Sequence, residues 1–431
     1  MRIDLPEKVE YIIKVLQEAG HEAYAVGGCV RDCMLGRVPQ DWDVTTSADP
    51  YEVKELFRRT VDTGIKHGTV TVMFGEDGYE VTTYRLDGEY EDARHPKEVT
   101  FTKSLAEDLK RRDFTINAMA YNHKDGLVDL FDGVEDLKNK LIRCVGVPGE
   151  RFDEDALRIL RALRFSAQLG FSVDEATMKA IRERSMHLNK ISAERIRDEL
   201  NKLLLSALPE RLITVGECGI TDVVLPEVSR MLQQKSEAEI MLRGLTEYTT
   251  GTYEMHTALV LCWARLLSAS LLHNGVCEGK ERKAKAKQIL QRLKFDNDTI
   301  NKTASLTEYS TVSVRCDAYT VRRQMHYMGE EIFDLWRLFL SGKRDKDGNQ
   351  EQREQLESLA QMVDKIRSGP YCVSLKQLAV SGADLIASGK KQGVGLGETL
   401  EYLLEQVLEH PEWNEKEILL SMVEKNGDSA E

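Results

Sequence analysis

The chain has 431 residues, 42% hydrophobic and 30% charged, a length at which one hydrophobic core stops growing and two to four packed units are expected. Its 59 basic and 72 acidic residues leave a formal charge of −13, which excludes a protein that coats nucleic acid by bulk electrostatics and makes any RNA contact local. No apolar run reaches bilayer length, and the opening MRIDLPEKVEYIIKVLQEAG mixes charges through an amphipathic pattern unlike a signal peptide, so a soluble cytoplasmic protein without membrane contact is expected.

Residues 1–146 alternate helical stretches with short β-branched runs, AYAVGG, DWDVTT, TVTVMF, YEVTTY, TINAMAY and LVDLF, several of them bounded by Gly or Asp. This reads as a mixed α/β domain, with 20 basic against 28 acidic residues. After Gly149 the pattern turns to amphipathic helices. The first, FDEDALRILRALRFSAQLG, stops at Gly170, and the second, ISAERIRDELNKLLL, opens at Ser192 as an N-cap. Residues 151–206 carry 11 basic against 9 acidic residues, so this is the stretch more suited to RNA. MHTALVLCWARLLSASLL and LGETLEYLLEQVLEH also read as helices, and the polar stretch at 341–355 reads as an exposed connection or a solvated helix start. No fixed-period repeat is present, which argues against solenoids and propellers. The eight cysteines form no CxxC pair and no zinc spacing, so reduced thiols are expected.

In DWDVTT, Asp41 and Asp43 stand two apart in a β-like run, so both carboxylates are expected on one face, close enough to bridge divalent cations; hard oxygen donors suit Mg²⁺. Asp-x-Asp is also common in exposed loops. Upstream, Gly27 and Gly28 lie between a strand and a helix, where backbone amides can approach phosphate, with Arg31 just beyond. A plain tight turn with Arg31 paired to Asp32 fits those residues too. Glycines, a cation and paired acids together are the parts that nucleotidyl transfer needs. Glu80, on a neighbouring predicted strand, is a third acid or an edge-strand surface residue. RRDFTINAMA offers Arg111 and Arg112 to phosphate, and Asp113 and Asn117 to ribose hydroxyls, or else is a charged helix start. Asp155, Arg158, Arg161 and Arg164 recur every three residues along one drifting helical stripe. A guanidinium donor and a carboxylate acceptor can face the Watson–Crick edge of cytosine or adenine, and a ladder of surface ion pairs would show the same spacing.

Taken together, GGCVRDCMLGRVPQDWDVTTSA, RRDFTINAMA, LVDLFDGVEDLKNKLIRCVG, FDEDALRILRALRF and ISAERIRDELNKLL resemble, in order, five motifs of the class II CCA-adding tRNA nucleotidyltransferases, of the polymerase β-like superfamily. The resemblance implies an α+β fold, with a nucleotidyltransferase head at 1–146 whose small mixed or antiparallel sheet is flanked by helices. A helical neck at 147–206, a body at 207–315 and a tRNA-binding tail at 316–431 would follow. It implies metal ligation by Asp41 and Asp43 with Glu80 as the third acid. Nucleotide contacts would come from Gly27, Gly28, Arg31, Arg112, Asp113, Asn117, Asp155 and Arg158, with Arg161 and Arg164 supporting the pocket. The implied substrates are tRNA, CTP and ATP, the implied cofactor Mg²⁺, and the oligomeric state, monomer or homodimer, stays open.

DGEYEDARHPKEV at 87–99 resembles the loop that full CCA-adding and A-adding enzymes possess and CC-adding enzymes lack, and GIKHGTVTVMF is similar to the CCA-adding rather than the poly(A)-polymerase version. A-adding or poly(A) activity therefore comes second. A catalytically silent tRNA platform and a small-molecule nucleotidyltransferase are the rivals from other classes; the intact acids argue against the first, the long helical body against the second. No histidine is followed by Asp, so the phosphohydrolase module of some relatives is not expected. KERKAKAKQILQRLK, residues 280–294, reads as a tRNA-backbone contact or a solvated charged helix.

Overall fold

The structure, a computed structural model, describes residues 2–87, 99–251, 253–313, 315–342 and 350–427. It divides into two compact units, Met1–Thr246 with Arg292–Lys294, and Glu247–Gln291 with Phe295–Glu431. The first holds the α+β architecture expected from sequence. The second is helical.

Seven strands form the sheet of the first unit: β1 (Ala23–Val26), β2 (Asp43–Thr46), β3 (Thr60–Gly64), β4 (Thr69–Phe74), β5 (Asp77–Thr83), β6 (Met119–Asn122) and β7 (Gly126–Asp129). Their order is β3-β4-β5-β2-β1-β6-β7. Every pair is antiparallel except β2 and β5, which run parallel with Val44 opposite Val81. The interior strand β1 is buried on both faces, as its unbroken apolar run AYAV requires. Helix α1 (Glu7–Glu18) buries Val9, Ile12, Ile13 and Leu16, the three-and-four spacing of an amphipathic helix. Helix α3 (Pro50–Leu56) begins at a capping box in which the Asp49 carboxylate accepts from the Glu52 amide and Glu52 accepts from the Asp49 amide.

Two sequence expectations change here. The strand containing DVTT starts at Asp43, so Asp41 and Trp42 precede it and strand alternation does not orient Asp41. The helix expected from FDEDALRILRALRF is two helices, α6 (Pro148–Glu154) and α7 (Leu157–Leu169). Asp155 between them is extended, with φ −141° and ψ 101°, and therefore leaves the helical stripe. Its carboxylate accepts the Leu157 amide at 3.0 Å, an N-terminal capping interaction that favours the restart. Helix α7 stops at Gly170 with φ 72°, as expected. After helix Glu175–Arg184, the helix expected from ISAERIRDELNKLLL (Ala193–Leu204) follows Ser192, though the serine side chain makes no capping hydrogen bond.

In the second unit, helix Met255–His273 is 19 residues long with a window of mean hydropathy 1.4, long and apolar enough by length and composition to cross a membrane. This corrects the expectation that no apolar run reaches bilayer length. Most of that window, 61%, is buried within the protein, including Trp263 and Leu267. Of the polar stretch at 341–355, residues 343–349 lie outside the described residues, and helix Gln350–Ser368 starts within it.

The basic segment at 280–294 forms helix Gly279–Arg292. It is not simply a solvated face: Arg282 is 1% exposed and donates to the main-chain oxygens of Thr307, Cys277 and Glu308 and to the Thr311 hydroxyl. A buried guanidinium thus satisfies the carbonyls at the end of helix Asn297–Glu308. Arg322 does the same for helix Val394–Glu409 through the oxygens of Leu408 and Glu409. Arg282→Met should strip these carbonyls of their donors and cost about 3 kcal/mol. A thermal melt should show the unit's midpoint lower by several degrees.

Candidate active site

Sheet register gathers the expected chemistry at one edge of the first unit. Val26, the last residue of β1, lies opposite Asp43, the first of β2, so the glycine turn leaves the sheet beside the point where the acid strand enters it. Gly27 has φ 83° and ψ −128°, which a side chain would strain, and a Cβ there would stand 3.1 Å from Arg112 Nη1. Helix α2 (Gly28–Met34) follows. Because Val44 pairs with Val81, the preceding residues Asp43 and Glu80 are neighbours on one face of the parallel pair.

Asp43 feels the charge of Asp41, and Glu80 feels both. Burial raises the Asp43 carboxyl above its usual range; Arg112 pulls it down and Asp41 pushes it up. Although Asp43 keeps accessible surface, the protein crowds its carboxylate enough for desolvation to dominate. Glu80 is raised by burial and then by Asp43 and Asp41. Among the described residues only His256, Asp296 and Asp298 bring three metal-ligating atoms within 4.8 Å of one another. The exposed trio in the second unit has local work instead: Asp296 caps a helix through Thr299, and Asp298 pairs with Lys302. Hard oxygen donors whose mutual repulsion favours a cation make Asp41, Asp43 and Glu80 a suitable set for a divalent ion.

Behind these acids runs a buried polar chain. Arg31 donates to Asp32 at 2.9 Å, the local pairing left open by the sequence, and also to Asn117 Oδ1 at 2.7 Å. Asn117 Nδ2 donates to Asp113 Oδ1 at 3.1 Å, which also accepts the Phe114 amide at 2.8 Å. Asp113 Oδ2 accepts from Arg161 at 2.8 and 2.6 Å. Four donors meet this carboxylate, and through Arg161 it ties the segment before β6 to helix α7. Despite burial, Arg161 and Asn117 hold Asp113 far below the usual carboxylate range. The chain continues from Arg161 to Glu199 at 3.9 Å, and from Glu199 to Arg164 at 2.8 Å. Arg164, Arg31 and Arg161 all lie over the Phe165 ring, at 3.6, 4.9 and 5.4 Å.

Asp113 gives the fold a pH dependence with a definite sign. A depressed native pKa contributes stability above the unfolded-state value, near 4, that is lost as pH falls through the native value. Asp113→Asn should be less stable than the parent by about 3 kcal/mol at pH 7. Denaturant titrations should find that gap narrowing below about pH 4.

Asp155 and Arg158 face a 260 Å³ cleft with Arg111, Arg112, Asp113, Leu157, Arg161 and Arg195. Neither approaches it unengaged. Asp155 accepts from Arg195 at 2.7 and 3.2 Å. Arg158 donates to Glu154 at 2.7 Å and to the Arg111 main-chain oxygen at 3.0 Å. Two larger cavities, 390 and 500 Å³, lie in the second unit. Their size does not make them the site, since neither combines a glycine turn with grouped acids.

Sequence reading missed Asp108, Arg195, Glu199 and Phe165. Arg195 and Glu199, four apart on helix Ala193–Leu204, carried a helical-pair signal; Asp108 carried none beyond its place before the arginine pair. The loop resemblance at 87–99 falls on residues of which 88–98 lie outside those described.

The family model for the Poly A polymerase head domain matches residues 23–143, that for the RNA and SrmB-binding site of polymerase A matches 170–232, and that for tRNA nucleotidyltransferase domain 2 matches 276–423. The CCA-adding enzyme of Lactiplantibacillus plantarum is 36% identical over 97% of this chain and 96% of its own length, and that of Levilactobacillus brevis 37% over 97% and 98%. The solved Bacillus stearothermophilus CCA-adding enzyme in complex with CTP superposes with a TM-score of 0.79 at 31% identity, covering 97% of both chains. With a glycine turn beside grouped acids, a helical neck against them and relatives matching end to end, the chain belongs to the CCA-adding enzymes, nucleotidyltransferases that build CCA on the 3′ end of tRNA.

Proposed function

We propose that the first unit adds two cytidylates and one adenylate, from CTP and ATP, to tRNA without a nucleic-acid template, through in-line attack of the RNA 3′-hydroxyl on the α-phosphate and loss of pyrophosphate. The family's chemistry uses a divalent cation; Asp41, Asp43 and Glu80 would hold it here. Mg²⁺ is the ion proposed, and when bound it would activate the hydroxyl and balance charge on the departing pyrophosphate. Gly27 and Gly28 let the backbone approach the triphosphate, and Arg112 and Arg31 supply positive charge beside it. The Arg112 Nε is buried and has no hydrogen-bond partner among the described residues, a donor available to a phosphate oxygen.

Base choice falls to Asp155 and Arg158. Arg195 and the Leu157 amide occupy one side of the Asp155 carboxylate, and the free lone pair of Oδ2 can accept the exocyclic amine of cytosine or adenine. Arg158 donors meet the adjacent ring nitrogen. Uracil and guanine present a carbonyl and an N–H in those places, the reverse pattern, so both are rejected. A cytoplasmic location fits a tRNA-finishing reaction. The helical body and tail, 207–315 and 316–431, would hold the rest of the tRNA.

The observation that carries this reading is the register placing Asp43 against both the glycine turn and Glu80. Incubating tRNA stripped of its CCA end with Mg²⁺ and each nucleotide separately tests it. CTP should add twice and ATP once, only after CTP. With tRNA ending in CC run in parallel, ATP incorporation there without CTP incorporation on the stripped tRNA would show an A-adding enzyme, and no incorporation on either would show a silent binder.

A further inference from the structure

The sequence pattern of helix α4 (Leu105–Lys110) gives Asp108 no evident task, yet the structure buries it completely, at 0% exposure. A carboxylate removed from water costs several kcal/mol unless its lone pairs are met, so its partners reveal what it organises. Oδ1 accepts Arg111 Nε and Nη2 at 3.0 and 2.8 Å; Oδ2 accepts Arg112 Nη2 at 3.2 Å and the Thr45 hydroxyl at 3.1 Å. Thr45 lies on β2 two residues beyond Asp43, on the same face of that strand. Arg112 Nη1 meanwhile lies against the Gly27 turn. One buried anion therefore ties the strand carrying the acids to two consecutive arginines.

We infer that Asp108 is a positioning residue that fixes Arg111 and Arg112 to receive the nucleotide triphosphate. This rests on the reading above that Arg112 serves phosphate. Asp108 clamps the guanidinium of Arg112 through Nη2, which leaves Nε and Nη1 for the ligand side. The ion pairs more than offset the burial that would otherwise push this carboxyl upward, and it stays ionised at neutral pH.

A positioning role and a merely structural one differ in what they move. With the full-length protein at fixed free Mg²⁺, Asp108→Asn should raise the KM for CTP and for ATP about tenfold and weaken inhibition by inorganic tripolyphosphate by a similar factor. The preference for CTP over UTP should stay within about twofold of the parent. Thr45→Val, which removes one bond to Asp108 and no charge, should shift tripolyphosphate inhibition the same way by a smaller factor, and it serves if Asp108→Asn does not fold. Arg112→Ala is the control. If Arg112→Ala weakens tripolyphosphate inhibition but folded Asp108→Asn, or Thr45→Val in its stead, leaves it unchanged, the Asp108 role is overturned while the phosphate reading stands. If Arg112→Ala also leaves it unchanged, both fall together.

Discussion

Asp43→Ala should lower incorporation of both CMP and AMP into tRNA by at least about a thousandfold, equivalent to roughly 4 kcal/mol of transition-state stabilisation. The effect should fall on turnover with both nucleotides equally, because the lost group serves the reacting phosphate and not the base. Folding should not suffer. Asp43 is the first residue of β2 and keeps accessible surface, and its removal relieves repulsion with Asp41 and Glu80 rather than opening a cavity. A thermal melt without divalent ions should place the variant's midpoint at or slightly above the parent's. Adding Mg²⁺ should raise the parent's midpoint and leave the variant's in place, since only a folded state that holds the ion is stabilised by it. A variant with near-parental turnover would remove Asp43 from the site.

The second large effect concerns choice of base. Asp155→Ala and Arg158→Ala should each erode discrimination against UTP and GTP by about ten- to a hundredfold in kcat/KM, the 1 to 3 kcal/mol of one well-formed base contact. Each residue is held before the nucleotide arrives, Asp155 by Arg195 and Arg158 by Glu154. Truncation therefore also leaves a partner charge without its mate. Arg195→Ala should accordingly mimic Asp155→Ala in part, lowering discrimination by less. Competition assays with mixed nucleotides measure these ratios directly, and selection unchanged in both alanine variants would refute the assignment.

Much of the site could be read from the sequence because its residue types are chemically constrained. Gly27 must be glycine at its φ, the acids must be carboxylates, and strand runs such as TVTVMF and AYAV announce themselves. What escaped reading depended on three-dimensional register or on local competition for the backbone. Periodicity could not show that Asp155 interrupts the neck helix, since apolar spacing continues across the break and only the Asp155 side chain capping Leu157 marks it. Nor could it show that Asp113 is met by Arg161, Asn117 and its neighbour's amide, a result of packing head against neck within one unit. Asp108 was illegible for a plainer reason: in SLAEDLK it looks like any acid in a first helical turn, and only the fold buries it. The apolar helix Met255–His273 likewise satisfies a membrane test by composition while 61% of its apolar window is buried in the protein.

A crystal grown with Mn²⁺ and a non-hydrolysable CTP analogue would locate the metal by anomalous scattering and the base by its density. Metal signal between Asp41 and Asp43, with cytosine N4 in hydrogen-bond reach of Asp155, is the predicted result. Metal found only beside His256, Asp296 and Asp298, or cytosine bound away from Asp155 and Arg158, would contradict it.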